Sequence, residues 1–156
     1  MDTNQLDPID VLILEELTSD ARLPFVKLAK KLKVSNTLIH QRVRKLKEAG
    51  IINQASFRLD PWRLGYKTSA YTQILLADAQ HHRNVEEQLK EIPEIVECVN
   101  ISGRYALLVK IYAYDNRHLR DVIYDQILRI DGVEGTNSTI SFETAFVRNV
   151  PLEVER

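Results

Sequence analysis

The chain has 156 residues, 44% hydrophobic and 28% charged, which gives room for one medium or two small domains and excludes a disordered chain. No apolar run approaches the roughly 20 residues of a membrane helix, acids (Asp2, Asp7, Asp10) stand where a secretory leader needs positive charge, and the single cysteine, Cys98, excludes an intrachain disulfide or a cysteine zinc cage, so a cytoplasmic protein is expected. The formal net charge of −1 hides a sharp division: residues 22–50 hold nine of the 21 Lys and Arg and one acid, Glu48, for +8, while the other 12 bases and 21 acids leave −9 elsewhere, an asymmetry that points to nucleic acid.

Asp7-Pro8-Ile9-Asp10 predicts a helix start, with Asp7 as cap, Pro8 at the first helical position and Asp10 placed for a capping box. Ile9, Leu12, Ile13 and Leu17 then follow at helical spacing as one apolar face, and Thr18-Ser19-Asp20 closes the element. Pro24 opens a second helix with Phe25, Leu28, Ala29 and Leu32 inward and Lys27, Lys30, Lys31 and Lys33 on the rest. Lys33-Val34 is the turn, Ser35 caps a third helix running to Ala49, and Gly50 stops it. Residues 51–59 alternate weakly and predict a strand. Asp60 to Gly65 reads as a connector.

The second half predicts a strand at 68–76, a helix at 84–92, strands at 95–101 and 105–113 around a Ser102-Gly103-Arg104 turn, a helix at 116–130 and a last strand at 133–142. That β-α-β-β-α-β order is a ferredoxin-like unit, so the expected fold class is α+β. The tail, residues 151–156, is read as loose or taken up by a partner.

On a wheel of about 100° per residue, Ile39, Val43 and Leu46 fall within about 60° of one another and face the core. Thr37, Gln41, Arg44 and Glu48 lie opposite, with His40 and Lys45 flanking them. A solvated basic face is the plain alternative for a lone helix of this kind. Here the preceding helix, tight turn, Ser35 cap and following strand agree on a helix-turn-helix, whose second helix enters the major groove of double-stranded DNA. The expected DNA-contacting set is Lys27, Lys30, Lys31, Ser35, Asn36, Thr37, His40, Gln41, Arg44, Lys45 and Lys47, with lysines on phosphates and Gln41 and Arg44 on base edges. Arg42 falls beside the apolar stripe, where pairing with an acid of the first helix such as Asp10 is expected.

These residues carry a resemblance. Leu6-Asp7-Pro8-Ile9-Asp10-Val11-Leu12-Ile13-Leu14, then Ser35 through Leu46, then Glu48-Ala49-Gly50-Ile51-Ile52, resemble the DNA-binding half of the Lrp/AsnC family, the feast/famine transcription regulators. Pro93-Glu94-Ile95-Val96-Glu97-Cys98, Ser102-Gly103, Gly132-Val133 and Thr136 resemble its effector domain, so the likeness spans residues 6–148. It implies a winged helix-turn-helix at 1–60, a connector at 61–66 and an effector-binding and oligomerisation domain at 67–156. It also implies dimers that assemble further to tetramers or octamers, and a small effector, often an amino acid. The chain has Asn36 and Leu38 where the family often has prolines, and Gly103-Arg104-Tyr105-Ala106 where it often has acids. Arg104 is either a clamp for a carboxylate or a solvated turn residue. With Gly103, Tyr105, Thr136, Asn137 and Ser138 it makes up the candidate effector set; each of these also has a plain structural reading.

Asp78, His81 and His82 resemble a metal cluster only superficially, as a polar loop before a helix, and no metal or cofactor is expected. Cys98 reads as a small hydrophobe in an apolar strand. No phosphate loop or nucleophile motif argues for an enzyme. A DNA-binding regulator responding to a small ligand is the expected function; the alternative of the same fold is an architectural DNA-compacting protein with little sequence preference. A regulatory module whose basic helices meet an acidic partner is a third reading, excluded if Gln41 and Arg44 prove necessary for promoter binding.

Overall fold

The computed structural model describes residues 6–53, 57 and 59–152, which fall into two units. The first holds the described residues up to Phe57 together with Phe146–Leu152; the second is Leu59–Ala145.

In the first unit, helix α1 spans Pro8–Ser19, α2 Phe25–Leu32 and α3 Asn36–Glu48. Asp7 caps α1 by accepting the Asp10 N–H at 2.9 Å, while Asp10 accepts the Asp7 N–H at 3.4 Å, a reciprocal capping box. The turn after α2 is made by Lys33 with φ of 57°, a left-handed conformation that costs a side-chain-bearing residue about 1–2 kcal/mol. Ser35 Oγ accepts the Leu38 N–H at 3.1 Å and starts α3.

The core of this unit is Ile13, Leu14, Leu28, Ala29, Ile39, Val43 and Leu46. The expected α1 face needs correction: Leu12 is 45% exposed and Leu14 takes the inward place. Leu152 also packs against this core. Leu152 is half-buried there, as an apolar side chain is when a hydrophobic surface is available, and residues 146–152 group with the first unit by contact. Residues 153–156 lie outside the described residues. The expected strand at 51–59 is not present at 51–53, 57 or 59, and its remaining positions also lie outside the described residues.

The second unit is a four-stranded antiparallel sheet in the order β2-β3-β1-β4, with β1 Thr68–Leu76, β2 Ile95–Asn100, β3 Leu107–Ala113 and β4 Val133–Ser141. Helix α4 is His82–Lys90, two residues earlier than the sequence suggested, because Asp78 caps a short 3-10 turn leading into it. Helix α5 begins at Asn116–Asp121, then continues as π-type turns over Val122–Gln126 and a 3-10 turn over Ile127–Arg129, where one regular helix was expected. The inward residues are those the periodicity selects: Val85, Leu89, Ile92, Leu119, Val122, Ile123 and Ile127 pack on Ala70, Ile74, Leu107, Val109 and Ile111. This is the ferredoxin-like α+β arrangement.

By strand alternation, Tyr71, Gln73 and Leu75 of β1 and Leu108, Lys110 and Tyr112 of β3 face away from the helices. The Lys110 ammonium lies 5.2 Å from the Tyr71 ring centre and 5.3 Å from that of Tyr112, within cation–π range. Cys98 is exposed, contrary to the sequence reading, because β2 is an edge strand. Desolvation and the Glu86 carboxylate push its thiol up, away from the reactive thiolate.

Gly132 precedes β4 with φ of +95°, and a methyl group on it would overlap the His81 side chain. Both faults act together, so Gly132→Ala is expected to cost the second unit about 3 kcal/mol, read as a lower melting temperature. No change in thermal unfolding would show that this turn is not constrained as described. Among the described residues, no helix is long and apolar enough to cross a membrane.

Candidate nucleic-acid interface

Helix α3 presents two chemically distinct sides. Ile39, Val43 and Leu46 are buried. Thr37, His40, Gln41 and Arg44 are exposed and line a shallow, open depression on the other side. Thr37, Gln41 and Arg44 recur at three- and four-residue spacing, so the helix itself gathers them. Ser35 and Asn36 sit exposed at its start, and Lys45 and Lys47 in its last turn. The free N–H groups at this end also suit a phosphate oxygen.

Two contacts that the sequence did not announce position these side chains. The His40 ring meets the Phe25 ring edge-on, with centres 4.9 Å apart and planes at 76°, so α2 orients His40. The Arg44 Nε lies 3.7 Å from Glu48 Oε1, with both side chains more than 70% exposed. Water screens such a pair, and the guanidinium can leave it at little cost.

The basic residues are not equivalent. Lys31 is 2.6 Å from Glu16 of α1, so part of its charge is already answered. Arg42 pairs with Asp7 and, at 3.3 Å, with Asp10. Burial opposes ionisation of Asp7, but the Asp10 N–H and the Arg42 guanidinium outweigh it and hold the Asp7 carboxyl below the usual carboxylate range. Arg42 is thus a structural clamp between α3 and the α1 cap, as its place on the wheel implied. Lys27, Lys30, Lys45 and Lys47 are exposed. Over residues 6–50, nine bases face six acids for a net +3, so the attraction is local to the α2–α3 face. Arg22 lies outside the expected set; its guanidinium stacks on the Phe57 ring at 4.3 Å.

The candidate effector residues fall in two groups on either side of β1, whose Ile74 is opposite Leu107 on one side and Thr136 on the other. Gly103, with φ of +105°, Arg104 and Tyr105 lie in the turn between β2 and β3, and Arg104 is exposed with its guanidinium 5.9 Å from the Tyr105 ring centre. Thr136, Asn137 and Ser138 lie on edge strand β4, with β1 between them and β3. They also point to alternate sides of the sheet: Ser138 meets Thr72 at 2.9 Å and Asn137 donates to Gln73 at 3.1 Å. His81 pairs with Asp78 at 2.9 Å. Among the described residues, no three His, Cys, Asp or Glu side chains converge as metal ligands.

A family model described as Lrp/AsnC ligand binding domain matches residues 69–151, and one described as winged helix-turn-helix DNA-binding matches residues 6–53. The chain is similar to the regulatory protein AsnC of Haemophilus influenzae, 31% identical over 147 residues that cover 94% of this chain and 98% of that one. It is 38% identical over 130 residues to the HTH-type transcriptional regulator LrpA of Pyrococcus horikoshii, covering 82% and 90% respectively. Its structure matches that of E. coli AsnC with a TM-score of 0.87 at 31% identity, covering 93% of this chain and 97% of the other.

Proposed function

From the premise that the chain belongs to the Lrp/AsnC family of ligand-responsive, DNA-binding transcription regulators, we propose that it reads a specific, partly palindromic operator as a dimer, with two α3 helices in successive major grooves about 34 Å apart. The observation that carries this is the α3 face: Thr37, His40, Gln41 and Arg44 stand together, exposed, opposite a buried stripe that fixes the helix. Gln41 and Arg44 read bases, and Lys27, Lys30, Lys45 and Lys47 hold phosphates.

A second copy covers the helix-free side of the sheet, where Tyr71 and Tyr112 flank Lys110, with Leu75 and Leu108 on the same side. Dimers assemble further to tetramers or octamers. The effector is an amino acid or similar small molecule. Because β1 lies between 103–105 and 136–138 in one chain, the effector is placed where copies meet. The ligand shifts the equilibrium by binding one assembly better than another. The protein works in the cytoplasm and catalyses nothing.

The test is binding of the purified protein to its own upstream DNA and to scrambled DNA at about 150 mM salt, with and without each amino acid. A site preference of about 10³ or more is expected, with a shift caused by one amino acid. Equal binding to both DNAs with a steep salt slope would instead make it an architectural protein.

A further inference from the structure

At the end of the sheet where the chain enters β1, three rings stack in series. The Tyr66 and Tyr114 ring centres are 4.7 Å apart at 13°, and those of Tyr114 and His118 are 5.1 Å apart at 14°. The series ends at Glu94, whose Oε1 is 3.3 Å from His118 Nε2. The Tyr114 N–H donates to His118 Nδ1 at 3.3 Å, so the neutral imidazole carries its proton on Nε2 and directs it at Glu94. Glu94 Oε2 is buried without a hydrogen-bond partner among the described residues. The carboxylate is thus held where only His118 answers it, at a desolvation cost. Neither the DNA-facing set nor the candidate effector set uses any of these residues.

The connector joins this stack directly. Pro61 O accepts the N–H groups of Leu64 and Tyr66, Trp62 O accepts the Gly65 N–H and the Lys67 ammonium, and the Lys67 N–H donates to Tyr114 O at 3.2 Å. The segment is a folded turn, and Tyr66 is the side chain that fastens it to the sheet. Helix α5, which carries His118, runs on through the π-type turns to β4.

We propose that Tyr66, Tyr114, His118 and Glu94 form a latch on the connector, and that they are positioning residues for DNA reading which touch neither DNA nor ligand. The latch fixes the path of the connector, from Pro61 to Lys67, against the sheet of the second unit. Through α5 it links that path to the strand of Thr136–Ser138. Its DNA consequence rests on the dimeric reading above; its local consequence does not.

Hydrogen exchange on the full-length protein tests the local part. Tyr66→Leu and Glu94→Leu, which keeps the bulk but removes the acceptor for His118, should each speed exchange at Gly65, Tyr66 and Lys67 by about tenfold or more, with Ala70, Ile74 and Val109 unchanged. His118→Gln, which still reaches Glu94 with a donor, should keep more protection than His118→Asn. For the DNA part, inserting about 5 base pairs between half-sites puts the two grooves on opposite sides of the duplex. It should weaken wild-type binding sharply and the latch variants less, with binding to a single half-site the same in all. Wild-type exchange rates at the connector in both Tyr66→Leu and Glu94→Leu would overturn the proposal, as would equal loosening of the connector and the central strands. A wild type indifferent to the insertion would sink the dimeric reading instead, with the exchange result still deciding the latch.

Discussion

Replacing Gln41 and Arg44 together with alanine is expected to weaken binding to the specific site by at least a hundredfold while leaving the melting temperature within about 1 °C of wild type. Each base-reading side chain contributes about 1–3 kcal/mol of discrimination, and both side chains are exposed on the side of α3 away from its buried stripe. Neither holds the fold: the Arg44–Glu48 pair lies in water, where such pairs contribute little. Binding to scrambled DNA should fall less, since phosphate contacts carry it. Lys30→Ala and Lys47→Ala give the contrasting pattern, weakening all DNA alike and reducing the salt slope by about one each. Competition binding on specific and scrambled duplexes at two salt concentrations separates the cases. An unchanged site preference in the double variant would remove α3 from sequence reading.

Arg42→Ala should do the opposite, costing about 2–3 kcal/mol of folding stability in the first unit and leaving site preference intact wherever the protein is folded. The Asp10 side chain is 3% exposed and would be left buried without the guanidinium that answers it. Asp7, at 39% exposed, is partly compensated by water, which places the cost toward the lower end. Asp10→Asn with Arg42→Met removes both charges and should lose less than Arg42→Ala alone. Because the folded Asp7 carboxyl titrates below its ordinary value, its contribution is complete at neutral pH and disappears as the pH falls through that lowered value. Wild type should therefore lose stability below about pH 4, and Arg42→Ala should lose less on the same acid titration. Lost site preference at an unchanged melting temperature would make Arg42 a DNA contact instead.

What the sequence made legible was local. The Asp7-Pro8 start, the Ser35 cap and the inward faces of α2 and α3 depend on neighbours a few residues away, and those elements lie where their residues predict. The Arg42 clamp was legible too, since a wheel places it beside the core and α1 supplies acids. Contacts between distant segments were not. Whether Cys98 is covered depends on β2 being an edge, which strand order decides. The separation of Gly103–Tyr105 from Thr136–Ser138 has the same cause. The π-type turns after Asp121 keep Val122, Ile123 and Ile127 inward, so their apolar spacing resembles that of an ordinary helix. Leu12 and Leu14 are both leucines within one turn, and packing against α2 and α3 chose between them. Glu94 and His118 stand 24 positions apart, and neither is unusual until the sheet brings them together.

Leu152 packed against the core of the first unit has a consequence for how the gene can be cut. The DNA-binding unit is discontinuous in sequence: residues 146–152 group with its three helices, and residues 59–145 lie between. A fragment cloned to end after the third helix would lack one of the side chains that cover its core. Deleting residues 146–152 would remove part of the DNA-binding unit and spare residues 59–145.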